Sequence, residues 1–444
     1  MSKILFLFVC SIVIFCDAQS QVDVDKLFHA NPPSLSPNRP PNVQRPLQAQ
    51  AQSIDSTNPI FESDDELKPY RGSRHDEFDW ALTKKVLDTN EQENTVVSPF
   101  LVKLLLSILA EAAGQDTSTH RELLTILPSI RTEEEIRELY GRTFGSLLKE
   151  SSDYELNLGA KLFVDRFIQP RQKFAAIIKS FYYSDVESVD FARSQEAANI
   201  INSWCANATK NHINDIVTPD DVARSVILLI NTIYFNGYWS KPFAENQTVA
   251  RNFNINSKAS LPANFMTKTD DFYYSESTEL DAKVLRLPYK GYKFAMYIVL
   301  PNKVDGLDEL ISRVDSSYLH RTQILMEKVE VKVSIPKFKF TNTVKLNEIL
   351  KALGIRQMFT LQASFPQLVR GNVVQDRLQV SNVLQRTGIE VNEKGSTAYA
   401  ATIVSLVNKF GASIEFNADR PFLFLIEDET TSTLIFTGKV TKPE

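Results

Sequence analysis

The chain has 444 residues, is 43% hydrophobic and 23% charged, and carries a net charge of −5. Those values are ordinary for a soluble globular protein. With no long run of one sign, they give no electrostatic footprint for a nucleic-acid partner.

The N-terminus, MSKILFLFVCSIVIFCDAQS, places Lys3 before an apolar run over residues 4–15 and then turns small and polar. The run is too short to span a bilayer and has the form of a secretory signal, residues 1–18, with cleavage expected after Ala18. No later stretch is long and apolar enough to span, so a secreted protein with no membrane association is expected. Residues 19–75 are poor in large apolar residues and include NPPSLSPNRPPNVQRPLQAQAQS. That Pro- and Gln-rich composition predicts a flexible, extended arm.

Folded structure is expected over 76–444. In VVSPFLVKLLLSILAEAAG, Ser98 is placed to cap a helix and Pro99 fits its first turn. The residues that follow are apolar almost all round, so this helix should be buried. Further helices are expected at 132–149 and 195–212. ARSVILLINTIYFNGYW reads as a buried central strand over about 226–235. VEVKVSIPKFKF alternates, which predicts lysines outward and phenylalanines inward. RPFLFLIEDETTSTLIFTGKV is two apolar runs joined by polar turn residues, a hairpin pattern. Helices dominate the first half and strands the second, which predicts an α+β fold around one large core.

Of three cysteines, Cys10 and Cys16 lie in the signal. Cys205 alone remains, so the mature chain forms no internal disulfide, and a packed, inert thiol is expected there. Two sequons, at Asn207 and Asn246, should lie on the surface if glycosylated. Enzyme signatures are missing. The five histidines (His29, His75, His120, His212 and His320) include no HExxH pair. There is no GxSxG elbow, no GxGxxG and no phosphate loop. The acidic runs ESDDE and TEEEIRE lack metal-ligand spacing, so no metal, cofactor or catalytic residue is expected. Lys332, Lys337 and Lys339 interleave with Phe338 and Phe340, superficially like a nucleic-acid surface; a strand with solvated lysines is the better reading.

Several of these segments resemble, in order, the serpin family of serine protease inhibitors. FNADRPFLFLI resembles its C-terminal signature, LINTIYFNGYWSKPF its central strand and following turn, NTVVSPF its early helix start, and IEVNEKGST the hinge before its reactive-centre loop. The resemblance implies one domain of three β-sheets with eight or nine helices and an exposed loop. It also implies a suicide mechanism: a protease cleaves the loop, an acyl-enzyme forms, and the loop inserts into the main sheet. Serpin loop insertion is a known instance of strand addition and of release of stored strain. Ser98, Asn231, Trp239 and Gln385 match the family's sheet-opening regions; Gln385 stands where histidine is common.

Insertion demands a flexible hinge and side chains that fit a closed core. The implied hinge is Glu393, Gly395, Ser396, Thr397, Ala398, Tyr399, Ala400, Ala401 and Thr402. Gly395 supplies backbone freedom. By strand alternation, Ser396, Ala398, Ala400, Thr402, Val404 and Leu406 form one face, small at first and then larger and apolar. No proline or charge interrupts 396–407. Inhibition is therefore favoured over a non-inhibitory carrier or storage role. Tyr399 is large for a hinge and is expected to face outward.

Family spacing counts seventeen residues inclusive from Glu393 and places the reactive bond at Lys409–Phe410, flanked by Asn408 and Gly411. Leu406 and Phe410 are the alternative bait residues. A bait lysine fits a trypsin-like pocket with an aspartate at its base. The sequence NKFG resembles the bait of insect haemolymph serpins that restrain clip-domain proteases of prophenoloxidase activation and the Toll pathway. The expected protein is a secreted haemolymph monomer whose partner is a trypsin-like, clip-domain serine protease held as a covalent acyl complex. No strong heparin site is expected, because Arg137, Arg142 and Lys149 on the 132–149 helix are diluted by Glu134, Glu135 and Glu138.

Overall fold

The computed structural model describes residues 76–89, 92–125, 132–369, 378–393 and 414–443. The helices, in chain order, are α1 (Asp76–Leu87), α2 (Pro99–Ala113), α3 (Ser118–Leu124), α4 (Glu133–Leu147), α5 (Gln172–Tyr182), α6 (Ser194–Ala208), α7 (Pro219–Val222), α8 (Leu307–Arg313), α9 (Ser316–Ile324) and α10 (Asn347–Ala352). The strands are β1 (Thr95–Val97), β2 (Tyr154–Asp165), β3 (Asp185–Val189), β4 (Ile227–Gly237), β5 (Val249–Asn256), β6 (Ala259–Ser277) and β7 (Ala282–Pro288). They continue as β8 (Phe294–Pro301), β9 (Glu327–Pro336), β10 (Phe338–Lys345), β11 (Val380–Val391), β12 (Ile414–Asn417), β13 (Phe422–Asp428) and β14 (Thr433–Val440).

The class is α+β, as expected. One sheet has five strands in the order β10-β11-β4-β2-β3. The other runs β1-β14-β13-β8-β7-β6-β9-β12, with β5 also on β6. Three sheets become two hydrogen-bonded networks because β6 is long enough to serve two of them. It pairs with β5 over Ala259–Phe265 and with β7 over Tyr273–Ser277.

The core follows from α2. All of its side chains are buried, as the apolar sequence predicts, and it packs against β2, β4 and β14. Its two charges are matched from neighbouring helices. Lys103 Nζ lies 2.7 Å from Asp79 on α1, and Glu111 receives both arms of Arg137 on α4 at 2.7 Å. The Tyr182 hydroxyl on α5 donates to the same carboxylate at 2.9 Å. Helix α4 starts with a capping box, in which the Thr132 hydroxyl accepts from the Glu135 N–H and the Glu135 carboxylate accepts from the Thr132 N–H. It then buries Ile136, Tyr140, Phe144 and Leu147 at helical spacing.

Two expectations need adjustment. The helix expected to reach 212 ends at Ala208, because Lys210 and Asn211 adopt left-handed backbone and turn the chain out of the helix. Ser98 occupies the cap position of α2, but its hydroxyl makes no cap bond. The strand and hairpin readings hold: β4 is buried along nearly its whole length, and β13 and β14 pair antiparallel.

Arg137 is thus an internal strut between α2, α4 and α5 rather than a surface cation. Arg137→Ala leaves the buried Glu111 carboxylate without its counter-charge. It should lower unfolding stability by about 3 kcal/mol, read from urea denaturation, whereas Arg142→Ala on the exposed side of α4 should change it by less than about 0.5 kcal/mol.

Candidate functional site

Strands β4 and β11 run parallel and pair from Ile227↔Val380 to Phe235↔Ile389. Their outer neighbours, β2 and β10, are both antiparallel to them. A segment folding back from the end of β11 into this seam would therefore run antiparallel to both strands. It would replace one slanted parallel ladder with two antiparallel ones, the slightly stronger pairing. In the described residues the seam is shut.

Two of the residues that the resemblance assigns to sheet opening face each other across the seam. Asn231 and Gln385 are register partners, and both are fully buried. The Gln385 amide grips the backbone of Ser98 at both ends: Oε1 accepts from the Ser98 N–H at 2.6 Å, and Nε2 donates to the Ser98 carbonyl at 3.0 Å. Asn231 Nδ2 donates to the Leu101 carbonyl at 3.3 Å. Each strand of the seam is thus tethered through an amide to the start of α2. A glutamine can make both contacts at once because it carries a donor and an acceptor.

Trp239 closes the far end. Its indole N–H donates to the Asn392 carbonyl at 2.9 Å, and its ring stacks on Tyr289 with centroids 4.5 Å apart. Next to it, Glu393 is almost buried. One carboxylate oxygen accepts from the Thr248 hydroxyl at 2.8 Å, and the other lies 2.9 Å from Lys337 Nζ. Burial pushes the Glu393 carboxyl up, but Lys337, the residue's own N–H and Thr248 outweigh burial and hold it below the usual range.

Lysines read from sequence as solvated prove to be paired. Lys339 lies 2.6 Å from Glu390, its register partner on β11, and Lys332 lies 3.0 Å from Glu415, its register partner on β12. With Lys337–Glu393, these pairs bracket the segment that leaves β11 and returns at β12. The sequence showed the lysines outward and Phe338 inward, as found, but no local signal ties them to glutamates more than fifty residues away. The residues between Glu393 and Ile414, including hinge residues 395–402 and bait residues 408–411, lie outside the described residues.

The remaining candidates are placed as follows. Asn207 and Asn246 are both exposed. Cys205 is buried, and burial pushes its thiol up to about 11, so it is held as an inert thiol beside Thr232. Among the described residues no group of His, Cys, Asp and Glu could hold a metal ion, and no helix is long and apolar enough to cross a membrane.

The chain matches the family model for "Serpin (serine protease inhibitor)" over residues 73–443. It is 40% identical over 382 residues to "Serine protease inhibitor 2" of Anopheles gambiae, covering 84% of this chain and 93% of that protein. It is 32% identical over 377 residues to "Alaserpin" of Manduca sexta, covering 83% and 93%. The crystal structure of Serpin48, described as a highly specific serpin of Tenebrio molitor, superposes with TM-score 0.74 at 29% identity, covering 83% of this chain and 97% of that one. Uncleaved ovalbumin superposes with TM-score 0.77 at 24% identity, covering 83% and 98%, a likeness of fold.

Since the folded pKa of Glu393 lies below its unfolded value, its contribution is full above the ordinary glutamate range near about 4.3 and is lost as pH falls through the folded value. Glu393→Gln should therefore destabilise the native form at pH 7 by about 1 kcal/mol, a modest figure because Lys337 is 36% exposed. In urea unfolding the difference between variant and parent should shrink as pH is lowered below the ordinary glutamate range; a difference that does not diminish with falling pH would mean that the charge is not what anchors the hinge.

Proposed function

The chain belongs to the serpin family, and we propose that it is a secreted suicide-substrate inhibitor of trypsin-like serine proteases. In this reading, residues 1–18 are the signal, 19–75 a flexible extension and 76–444 the inhibitory domain. The serine of a protease attacks the Lys409–Phe410 bond, the Lys409 carbonyl becomes its acyl ester as the Phe410 amine leaves, and residues 396–407 then enter the seam between β4 and β11. The protein is consumed in the reaction and does not turn over.

The observation that carries this reading is the parallel seam itself, with the root of the loop fixed by Glu393 at its Trp239 end. About twelve residues, extended at about 3.3 Å each, would run the seam's length and carry a tethered protease about 40 Å. Insertion makes about twenty backbone bonds but dissolves about ten, because the seam is already paired. The net gain is then about ten bonds, or about 10 kcal/mol at about 1 kcal/mol each. That still matches the whole stability of an ordinary domain. The native form is accordingly held by a barrier rather than by its depth.

The relatives, themselves named as serine protease inhibitors, support inhibition of serine proteases. The finer assignment rests on residues 408–411. A basic residue followed by phenylalanine mimics the activation site of prophenoloxidases, so the proposed targets are clip-domain proteases of prophenoloxidase activation and Toll signalling. Exposed Asn207 and Asn246 suit glycosylation on a secretory route.

Mature protein mixed with trypsin should give a covalent complex on a denaturing gel and release a peptide that begins at Phe410. Lys409→Ala should abolish both. Cleavage after Lys409 without a complex would replace this reading with a substrate-like, non-inhibitory serpin. A complex with trypsin but none with any insect clip-domain protease would remove the finer assignment alone.

A further inference from the structure

On the α6 side of the seam, a second set of side chains joins β4 to β11. Tyr234 on β4 is the register partner of Gly388 on β11. A Cβ at Gly388 would lie 3.1 Å from the Tyr234 ring and 3.1 Å from Thr341 Cγ2, so the glycine leaves the space in which the ring lies. The Tyr234 hydroxyl reaches past it and donates to Glu390 Oε2 at 3.2 Å, on the other strand. Glu390 is fixed in turn by Lys339 at 2.6 Å and by Asn392 Nδ2 at 2.9 Å.

The same ring is covered from above. The left-handed turn at Lys210 and Asn211 ends α6 and brings His212 flat onto Tyr234, with centroids 3.8 Å apart and planes 4° apart. His212 Nε2 lies 3.0 Å from Glu155 Oε1 on β2. One tyrosine is thereby bonded to β11 through its hydroxyl and pressed by a segment moored to β2.

We infer that Tyr234, Glu390 and His212 form a clasp across the insertion seam that sets how fast the loop enters. This rests on the reading that residues 396–407 insert between β4 and β11. Adjacent strands lie about 4.8 Å apart, and a strand between them makes that about 9.6 Å. A 3.2 Å bond from Tyr234 to Glu390 does not survive that separation. The clasp exists only in the closed sheet, so it raises the barrier to insertion without contributing to the inserted form. These are positioning residues; none touches the protease.

The test is uptake of a synthetic peptide with the sequence of residues 396–407 by the full mature protein, followed on native gels. It needs no protease. Tyr234→Phe keeps the ring and the His212 stack and loses only the hydroxyl. It should anneal peptide about tenfold faster, the factor expected for one hydrogen bond to a charged acceptor. Glu390→Ala should behave likewise, whereas Glu390→Gln, which keeps an acceptor oxygen but not its charge, should fall between the parent and Glu390→Ala. The thermal midpoint of native Tyr234→Phe should fall, and that of its peptide-annealed form should coincide with the parent's. Annealing of Tyr234→Phe at the parental rate overturns the clasp, as does an equal loss of thermal stability in its native and annealed forms, which would mark plain packing. A parent that takes up no peptide overturns the insertion reading, and the clasp with it.

Discussion

The parallel ladder between β4 and β11 is the constraint on which the rest of the molecule depends. Both strands have antiparallel partners on their outer sides, so the ladder is the one junction of the five-stranded sheet that a strand folding back from β11 would make wholly antiparallel. A seam under no demand but stability would be filled with apolar side chains. Here its middle holds Asn231 and Gln385, both fully buried. Burying an amide costs free energy unless it is bonded; Gln385 is bonded at both ends to the backbone at the start of α2, whereas Asn231 is bonded there through Nδ2 and its buried Oδ1 has no partner. The seam is therefore held by contacts that can be exchanged as well as by packing that would have to be torn. Its midpoint is also fixed to α2, the helix around which the core is built.

The ends of the loop are held by a different currency of interaction. Three lysines from one short stretch of sequence, Lys332, Lys337 and Lys339, meet Glu415, Glu393 and Glu390. Two of these are direct cross-strand pairs, which set register as well as adding attraction. Lys332 and Glu415 are about half exposed or more, and such a pair contributes little stability in water. Position matters more than strength here. Weak, oriented pairs at both stems define where the loop leaves and returns, yet they add little to the cost of letting the β11 stem go.

Much of this was legible in the sequence, for a physical reason. α2, β4 and the β13–β14 hairpin are written in local hydrophobic pattern and turn chemistry, which need no partner to be read. Glu393 could be singled out by its place in a motif. What sequence could not supply were contacts between distant segments. Ser98 looked like a capping hydroxyl, but its backbone serves Gln385 instead, more than 280 residues away. Arg137 looked like a surface cation on a mixed helix, and is committed to Glu111. His212 looked helical because no glycine precedes it to announce a left-handed turn, and Asn211, which tolerates that backbone, is a weak signal by itself. Tyr234 read as one more apolar residue of a buried strand; only the glycine opposite shows that its ring has room to lie across the seam.

These contacts also explain how one fold can hold a large driving force and still persist. In the proposed mechanism, insertion that gains about ten hydrogen bonds would have to be slow with the loop intact and fast once it is cut, because deacylation would compete with it. A seam bonded along its length only by backbone would leave no side-chain position at which that balance could be adjusted without changing the inserted sheet as well. Side chains that bridge the closed strands and part on opening act on the barrier alone. The amide tether at Gln385 and the tyrosine at the α6 face stand at different heights along the same seam, so an entering strand meets them in succession. Chain connectivity fixes the order: a segment rooted at Glu393 enters from the Trp239 end, passes Tyr234 first and reaches the Gln385–Asn231 pair afterwards. On the proposed reading the Tyr234 contact would therefore bear on whether insertion begins, and the Gln385–Asn231 pair, tethered to α2, would be met later.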